Sequence, residues 1–280
     1  MKKNTAMGRE YFDEWYFIVY NEEVNNSKSK EDALRITKLL DLDTKDTVLD
    51  LCCGWGRHIV HLSSLVEKVC GLDNSDFFLE LAHEIRNSLN VANIGYVKSE
   101  MSDIPYPLGY FNKVYNLHTS FGYYDSDHKN QKVFAEVSRV LKRGGKFLLE
   151  MFNPVKYLNL KSVSIKKTLN TILESYGNDP IIRKLCVDTF KGGEYTITSE
   201  PVIHKTIKTV EQYRVIEYNG KLLKRITYRI MIYKLKELEE MLNSTGLTIK
   251  QIYGSLEGKV YNKDSDRLVL ISEKCKDYGK

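Results

Sequence analysis

Between residues 47 and 151 the chain repeats one unit: a short apolar run, a turn, then a helical pattern. The runs 47–51, 68–72, 94–98, 112–117 and 146–151 read as strands. The stretches 57–65, 75–89 and 130–141 carry helical spacing, with Ser75 placed as an N-cap. Consecutive strands separated by helices cannot pair as hairpins. They pair in parallel, with the helices covering both faces. The alternation predicts an α/β, doubly wound sheet.

After Asn153-Pro154 the rhythm changes. Residues 185–233 alternate with period two, and Asn219-Gly220 reads as a hairpin turn, so antiparallel strands are expected there. A helix over 235–245 closed by Gly246, then strands over 247–253 and 267–274, complete the pattern. No repeat or low-complexity linker interrupts the chain. The β-rich piece, 155–233, is therefore expected as a lid inserted in one α/β domain, between 1–154 and a final part of the core sheet, 234–280. Two further helices precede the first strand. One covers 30–41. The other covers 7–20, where Phe12, Tyr16 and Tyr20 recur every four residues; it either packs on the core or covers a ligand.

Charge excludes some partners. The net charge of +5 is spread along the chain, and the Lys-rich piece 161–167 is short, which argues against a nucleic-acid partner. Five cysteines, two of them adjacent at Cys52 and Cys53, form no C-x-x-C pair. Reduced thiols, a cytoplasmic location and no metal are expected. No run of 18 apolar residues and no signal-peptide core are present, so neither membrane insertion nor export is expected.

The stretch "VLDLCCGWGRH", 48–58, locates the site. In an open parallel sheet, ligands bind at the carboxyl ends of the strands. Glycines there let the backbone approach a ligand, and the next helix aims its first N–H groups into the same space. NAD, FAD and S-adenosylmethionine all use such a turn. Gly54-Trp-Gly56-Arg-His-Ile59 lacks the third glycine of the dinucleotide fingerprint. Asp50, at the strand end, would repel a pyrophosphate and suits a cationic amino-acid end. Asp73, 17 residues after Gly56, suits two ribose hydroxyls.

On these residues the chain resembles the class I S-adenosylmethionine-dependent methyltransferases. "VLDLCCGWGRH" is similar to their first motif, "GLDNS" to the acidic end of their second strand, and "LKRGGKFLLEMFNP" to the entry to their fifth. Arg143 stands where the family usually has Pro. "SFGYYDSDHKNQKVFAEVSRVLKRGG" resembles a bacterial subgroup acting on small molecules or peptide termini. The resemblance covers 11–154 and 226–274.

It implies a seven-stranded, mostly parallel sheet with an antiparallel β-rich lid. It also implies S-adenosylmethionine as cofactor. Gly54 and Gly56 would close over its methionine part, Asp50 would organise that end, and Asp73 would take the ribose hydroxyls. Cys52 and Asn74 would flank these. Glu100 would face the adenine amino group, with Met101 against the ring; Asp103 is the other candidate acid. Leu117 and His118 would line the sulfonium end. Tyr16 and Arg57 would approach the cofactor carboxylate, though Arg57 equally fits a salt bridge to a surface acid.

Transfer from a sulfonium is an in-line displacement that mainly needs positioning. A base is needed only for a protonated acceptor. His118 is the candidate base, with packing beside the cofactor as its other reading. Tyr123, Tyr213, Tyr233 and Arg229 are the candidate acceptor-binding side chains. The expected activity is methyl transfer to an N or O nucleophile of a small molecule or peptide, in a protein with room to form a homodimer. An RNA-modifying methyltransferase and a non-catalytic S-adenosylmethionine-binding protein are the competing readings.

Overall fold

The computed structural model describes residues 12–275, apart from 21, 23, 160, 177, 178, 205 and 207. The first part of the aromatic helix expected over 7–20 lies outside these residues. Its remainder forms α1 (Trp15–Tyr20), followed by α2 (Asn26–Leu40), whose first turn is capped by the Asn25 side chain on Lys28 N–H.

The alternation then unfolds as β1 (Thr47–Leu51), α3 (Ile59–Leu62), β2 (Lys68–Asp73), α4 (Asp76–Leu89), β3 (Ile94–Lys98), β4 (Phe111–Asn116), α5 (Asp127–Val140) and β5 (Leu141–Phe152). Ser75 caps α4 through Phe78 N–H, as its position suggests. The helix expected over 57–65 shrinks to the single turn α3. Ser63 Oγ bonds the Val60 carbonyl, and Asn93 takes the Ser63 carbonyl at 2.7 Å, so side chains end the ladder early.

A short α6 (Pro154–Tyr157) leads into β6 (Val163–Thr168), α7 (Leu169–Ser175), α8 (Pro180–Thr189), β7 (Glu194–His204), β8 (Thr209–Tyr218) and β9 (Lys221–Met231). Residues 185–189 are helical, not extended. Asp179 caps α8 on two N–H groups, Pro180 opens its first turn, and Ile182 and Cys186 are buried four apart. The chain ends with α9 (Leu235–Ser244), β10 (Leu247–Tyr253) and β11 (Arg267–Lys274).

Seven strands form one sheet in the order β10-β11-β5-β4-β1-β2-β3. β11 runs antiparallel to both neighbours, and β1 to β5 pair in parallel. The chain moves from β1 outward to β3, then returns to place β4 on the other side of β1. This reversal opens a crevice at the carboxyl ends of β1 and β4. The second sheet, β6-β7-β8-β9, is antiparallel. Asn219 and Gly220 both have positive φ, 47° and 76°, at its last hairpin.

The pleat of β1 decides what reaches the crevice. Leu49 and Leu51 point to the face covered by α5 and α9. Val48 points to the opposite face, under α2 and α3, and Asp50 shares that parity. A third apolar cluster joins α1, Trp55, Phe78 and the inner face of the second sheet, including Ile197, Val210, Ile226 and Ile230. Phe17 is fully buried there, with its ring 4.8 Å from Trp55. Its burial contributes about 1.5–3 kcal/mol toward holding α1 against the turn after β1. No helix among the described residues is long and apolar enough to cross a membrane.

Candidate active site

The turn after β1 departs from extended backbone at once. Cys52, Gly54 and Gly56 all have positive φ, at 66°, 54° and 75°. Cys53 N–H bonds the Leu72 carbonyl, and Gly54 N–H donates to Asp73 Oδ2 at 2.8 Å. Asp73 also accepts from the N–H groups of Asn74 and Ser75, at 2.7 and 2.9 Å. One carboxylate thus ties the glycine turn to the end of β2 and to the start of α4. Burial raises its pKa, and these three backbone donors oppose the rise.

This turn floors a cavity of about 1110 Å³, counting the part open to solvent. Eleven of the twelve cofactor candidates stand in its wall: Asp50, Asp73, Tyr16, Cys52, Gly54, Arg57, Asn74, Glu100, Met101, Leu117 and His118, with Gly56 outside it.

 Gly56 instead faces Tyr96, whose hydroxyl would collide with a Cβ on Gly56. Its glycine serves the packing of β3 beneath the turn.

At the β3 end, Glu100 is held from both sides. Asn74 Nδ2 donates to one of its oxygens at 3.1 Å, and the Tyr124 hydroxyl donates to the other at 3.0 Å. Cys52 Sγ lies 3.7 Å from Met101 Sδ, which makes this wall soft and polarisable. Asp103 is exposed and outside the wall. Phe12, Tyr16, Phe78 and Tyr123 close the opposite side, with Phe12 packed edge-on to Tyr123 at 5.7 Å.

The third wall is charged and buried. Asp32, from α2, has Oδ2 3.7 Å from both Arg57 Nη1 and His118 Nε2, and 3.9 Å from His58 Nε2. Burial pushes Asp32 up, but His118, His58 and Arg57 together hold it below the usual carboxylate range. Burial and the Arg57 charge lower His58 to about 4 and carry His118 well below its ordinary value. Arg57 also contacts Nε2 of His118 and donates to Ser29 Oγ at 3.0 Å. The acid beside Arg57 is the buried Asp32 and not one at the surface, and the Arg57 side chain stands in the cavity wall.

Asp50 stands apart from this cluster. Its Oδ2 has no hydrogen-bond partner among the described residues, and His58 Nδ1 is 3.9 Å away. Burial pushes its pKa up to about 7, against the pull of Tyr115 and Arg57. A buried, under-satisfied carboxylate favours a cationic neighbour.

His118 sits on strained backbone. It and Thr119 have φ of 56° and 57°, a conformation side chains rarely adopt. Glu150 secures the bend, accepting from His118 N–H at 2.5 Å through its side chain and from Thr119 N–H through its carbonyl. Arg267 Nε in turn holds Glu150 at 3.1 Å.

Three acceptor candidates lie elsewhere. Tyr213 and Arg229 have the outward parity of β8 and β9; Tyr213 is exposed, and Arg229 pairs with Glu211 across the strands. Tyr233 is buried in the core, with its hydroxyl bonded to Asp127 and Asn130. Tyr123 alone of the four is in the cavity wall. The inward positions are Gln212, Arg214 and Tyr228, all buried. Their parity with Val210 and Ile216 is readable in the sequence. His58, Trp55 and Ser99 also line the cavity without having been singled out by their sequence context.

Residues 48–145 match a methyltransferase domain family. An uncharacterised methyltransferase from Synechocystis sp. is 36% identical over 113 residues, which span 40% of this chain and 50% of that protein. The chain thus matches about half the length of this relative. A crystal structure of an S-adenosylmethionine-dependent methyltransferase from Clostridium acetobutylicum covers 92% of the chain and 97% of itself, with TM-score 0.71 and 18% identity. The S-adenosylmethionine-bound CalS10, an amino pentose methyltransferase from Micromonospora echinaspora, covers 93% and 96%, with TM-score 0.64 and 15% identity. Residues 48–145 thus match a methyltransferase domain, and the chain shares the class I, Rossmann-like fold of these solved structures.

Proposed function

We propose that this chain binds S-adenosylmethionine in the cavity above the glycine turn and transfers its methyl group to a nitrogen or oxygen of a small molecule. One observation carries the reading: Asp73, Gly54 and the orphaned Asp50 carboxylate face a single cavity at the switch point of the sheet. The donor set fits that cofactor. Asp50 offers a carboxylate to an ammonium, Asp73 keeps acceptor capacity for ribose hydroxyls, and Met101 offers an apolar flank to a base.

When bound, S-adenosylmethionine supplies a methyl on a sulfonium: the acceptor lone pair forms the new C–N or C–O bond, the C–S pair stays on sulfur, and any acceptor proton leaves to solvent. The chain's own residues orient and enclose. Phe12, Tyr16 and Tyr123 exclude water from the mouth. Arg57 and Asp32 fix the His118 ring, and Glu150 fixes its backbone. His118 thereby stands as a positioning group at the end of β4.

The test is equilibrium binding, read as thermal unfolding and calorimetry, with S-adenosylmethionine, S-adenosylhomocysteine and NAD in parallel. Binding of both sulfur compounds, abolished in Asp73→Ala, is the expected result. Binding of NAD in their place would sink the reading.

A further inference from the structure

A second cavity, of about 810 Å³ counting its open mouth, shares His118 with the first. It lies outside the glycine turn and carries a different chemistry. Phe152 and Tyr157 stack in its wall, with ring centroids 4.9 Å apart and planes 22° from parallel. The guanidinium of Arg267 lies 4.2 Å over the Phe152 ring.

Its charges are unbalanced. Lys28, Lys156 and Arg267 line it against one carboxylate, Asp266. Asp266 is taken by Lys156 at 2.7 Å, and Glu150 engages one edge of Arg267 from the sheet. Lys28 has no ion pair among the described residues and stands in the first turn of α2, where helix N–H groups add positive potential. A cationic acceptor would meet net repulsion here. A neutral apolar one would gain nothing from Lys28, which is exposed at the mouth.

We propose that this cavity is the methyl-acceptor subsite and that it takes a planar molecule bearing an anionic group, a carboxylate or a phosphate. The inference rests on the function proposed above. The stacked rings supply a flat apolar wall. Lys28 and Lys156 hold the anionic group, and Arg267 reaches it while still tied to Glu150. His118, common to both cavities, marks the end where the acceptor atom meets the methyl group.

Ligand-observed NMR tests this with the full chain, with and without saturating S-adenosylhomocysteine. The probes are benzoate, 2-naphthoate, indole-3-carboxylate and phenyl phosphate, each acid set against a matched neutral amide or alcohol. The acids should bind at least tenfold tighter than their neutral partners. Lys28→Ala and Lys156→Ala should each weaken them about fivefold, with S-adenosylhomocysteine affinity unchanged within twofold. Preference for phenyl phosphate over the carboxylates would assign a phosphate, and the reverse a carboxylate. Equal binding of acids and neutral partners, no binding of any probe, or insensitivity to both lysines would overturn the proposal. Failure of S-adenosylhomocysteine to bind would instead overturn the cofactor reading, while the probe comparison without it still reads this cavity.

Discussion

The guanidinium of Arg57 contacts Nε2 of His118. A guanidinium only donates, so Nε2 is the acceptor and the proton of the neutral ring sits on Nδ1. Asp32, 3.7 Å from the same nitrogen, balances the Arg57 charge and leaves the imidazole neutral. The side chain expected as a general base therefore has its basic nitrogen engaged within the protein.

Nitrogen-detected NMR of the histidines checks this. His118 should show the Nδ1–H tautomer and should not titrate near 6.5, because burial first and Arg57 second lower its pKa. In Arg57→Gln the pKa should rise, removing the second cause and keeping the first. A protonated Nε2, or titration near 6.5 in the unaltered protein, would return His118 to the role of base.

Asp50→Asn should stabilise the ligand-free protein and weaken the cofactor. The folded pKa of Asp50, about 7, lies above the ordinary 3.8. Stability linked to this group is fully present below pH 4 and is lost as pH rises toward and through 7. At pH 8 the buried charge costs up to about 4 kcal/mol, a ceiling set by about 1.4 kcal/mol per pKa unit. Urea unfolding at pH 5 and pH 8 should show the stabilising effect of the substitution only at the higher pH. Calorimetry should show at least a tenfold loss in affinity for S-adenosylmethionine. Equal effects at both pH values would mean that Asp50 is ionised throughout.

His58 predicts the opposite slope. Burial and Arg57 lower its pKa to about 4, below the ordinary 6.5. Its contribution is present above pH 6.5 and is lost as pH falls toward 4, by about 3 kcal/mol in all. Unfolding free energy should therefore drop across pH 6.5 to 4.5, and His58→Gln should flatten that part of the curve. An unchanged slope in the variant would assign the acid lability to other groups.

How far the sequence reached depended on whether a pattern was local. The first four parallel strands and the Ser75 cap depend on nearby residues, and they stand within one residue of their expected bounds; β5 starts five residues earlier than expected, at Leu141. Glycine alone did not separate Gly54, in the cavity wall, from Gly56, which Tyr96 needs from another strand. Residue type points to Tyr213 and the family resemblance to Arg229, whereas strand parity turns Arg214 and Tyr228 inward. Asp32 carried no local signal: it sits on α2 and meets Arg57, His58 and His118 only through the fold.

Asp73 gives the sharpest separation between binding and bystander residues. It accepts three backbone N–H groups and faces the cavity, so Asp73→Asn replaces an acceptor with a donor beside Gly54 or Asn74. Leaving one such buried donor without a partner costs about 1–3 kcal/mol. The variant should unfold at lower urea and bind S-adenosylhomocysteine about a hundredfold more weakly. Tyr213→Ser and Arg229→Ala, on the outer face of the second sheet, should leave that affinity within twofold. Comparable losses in all three variants would mean that binding does not distinguish the β2 end from the lid sheet. Unaltered affinity in Asp73→Asn would remove the ribose role from this carboxylate.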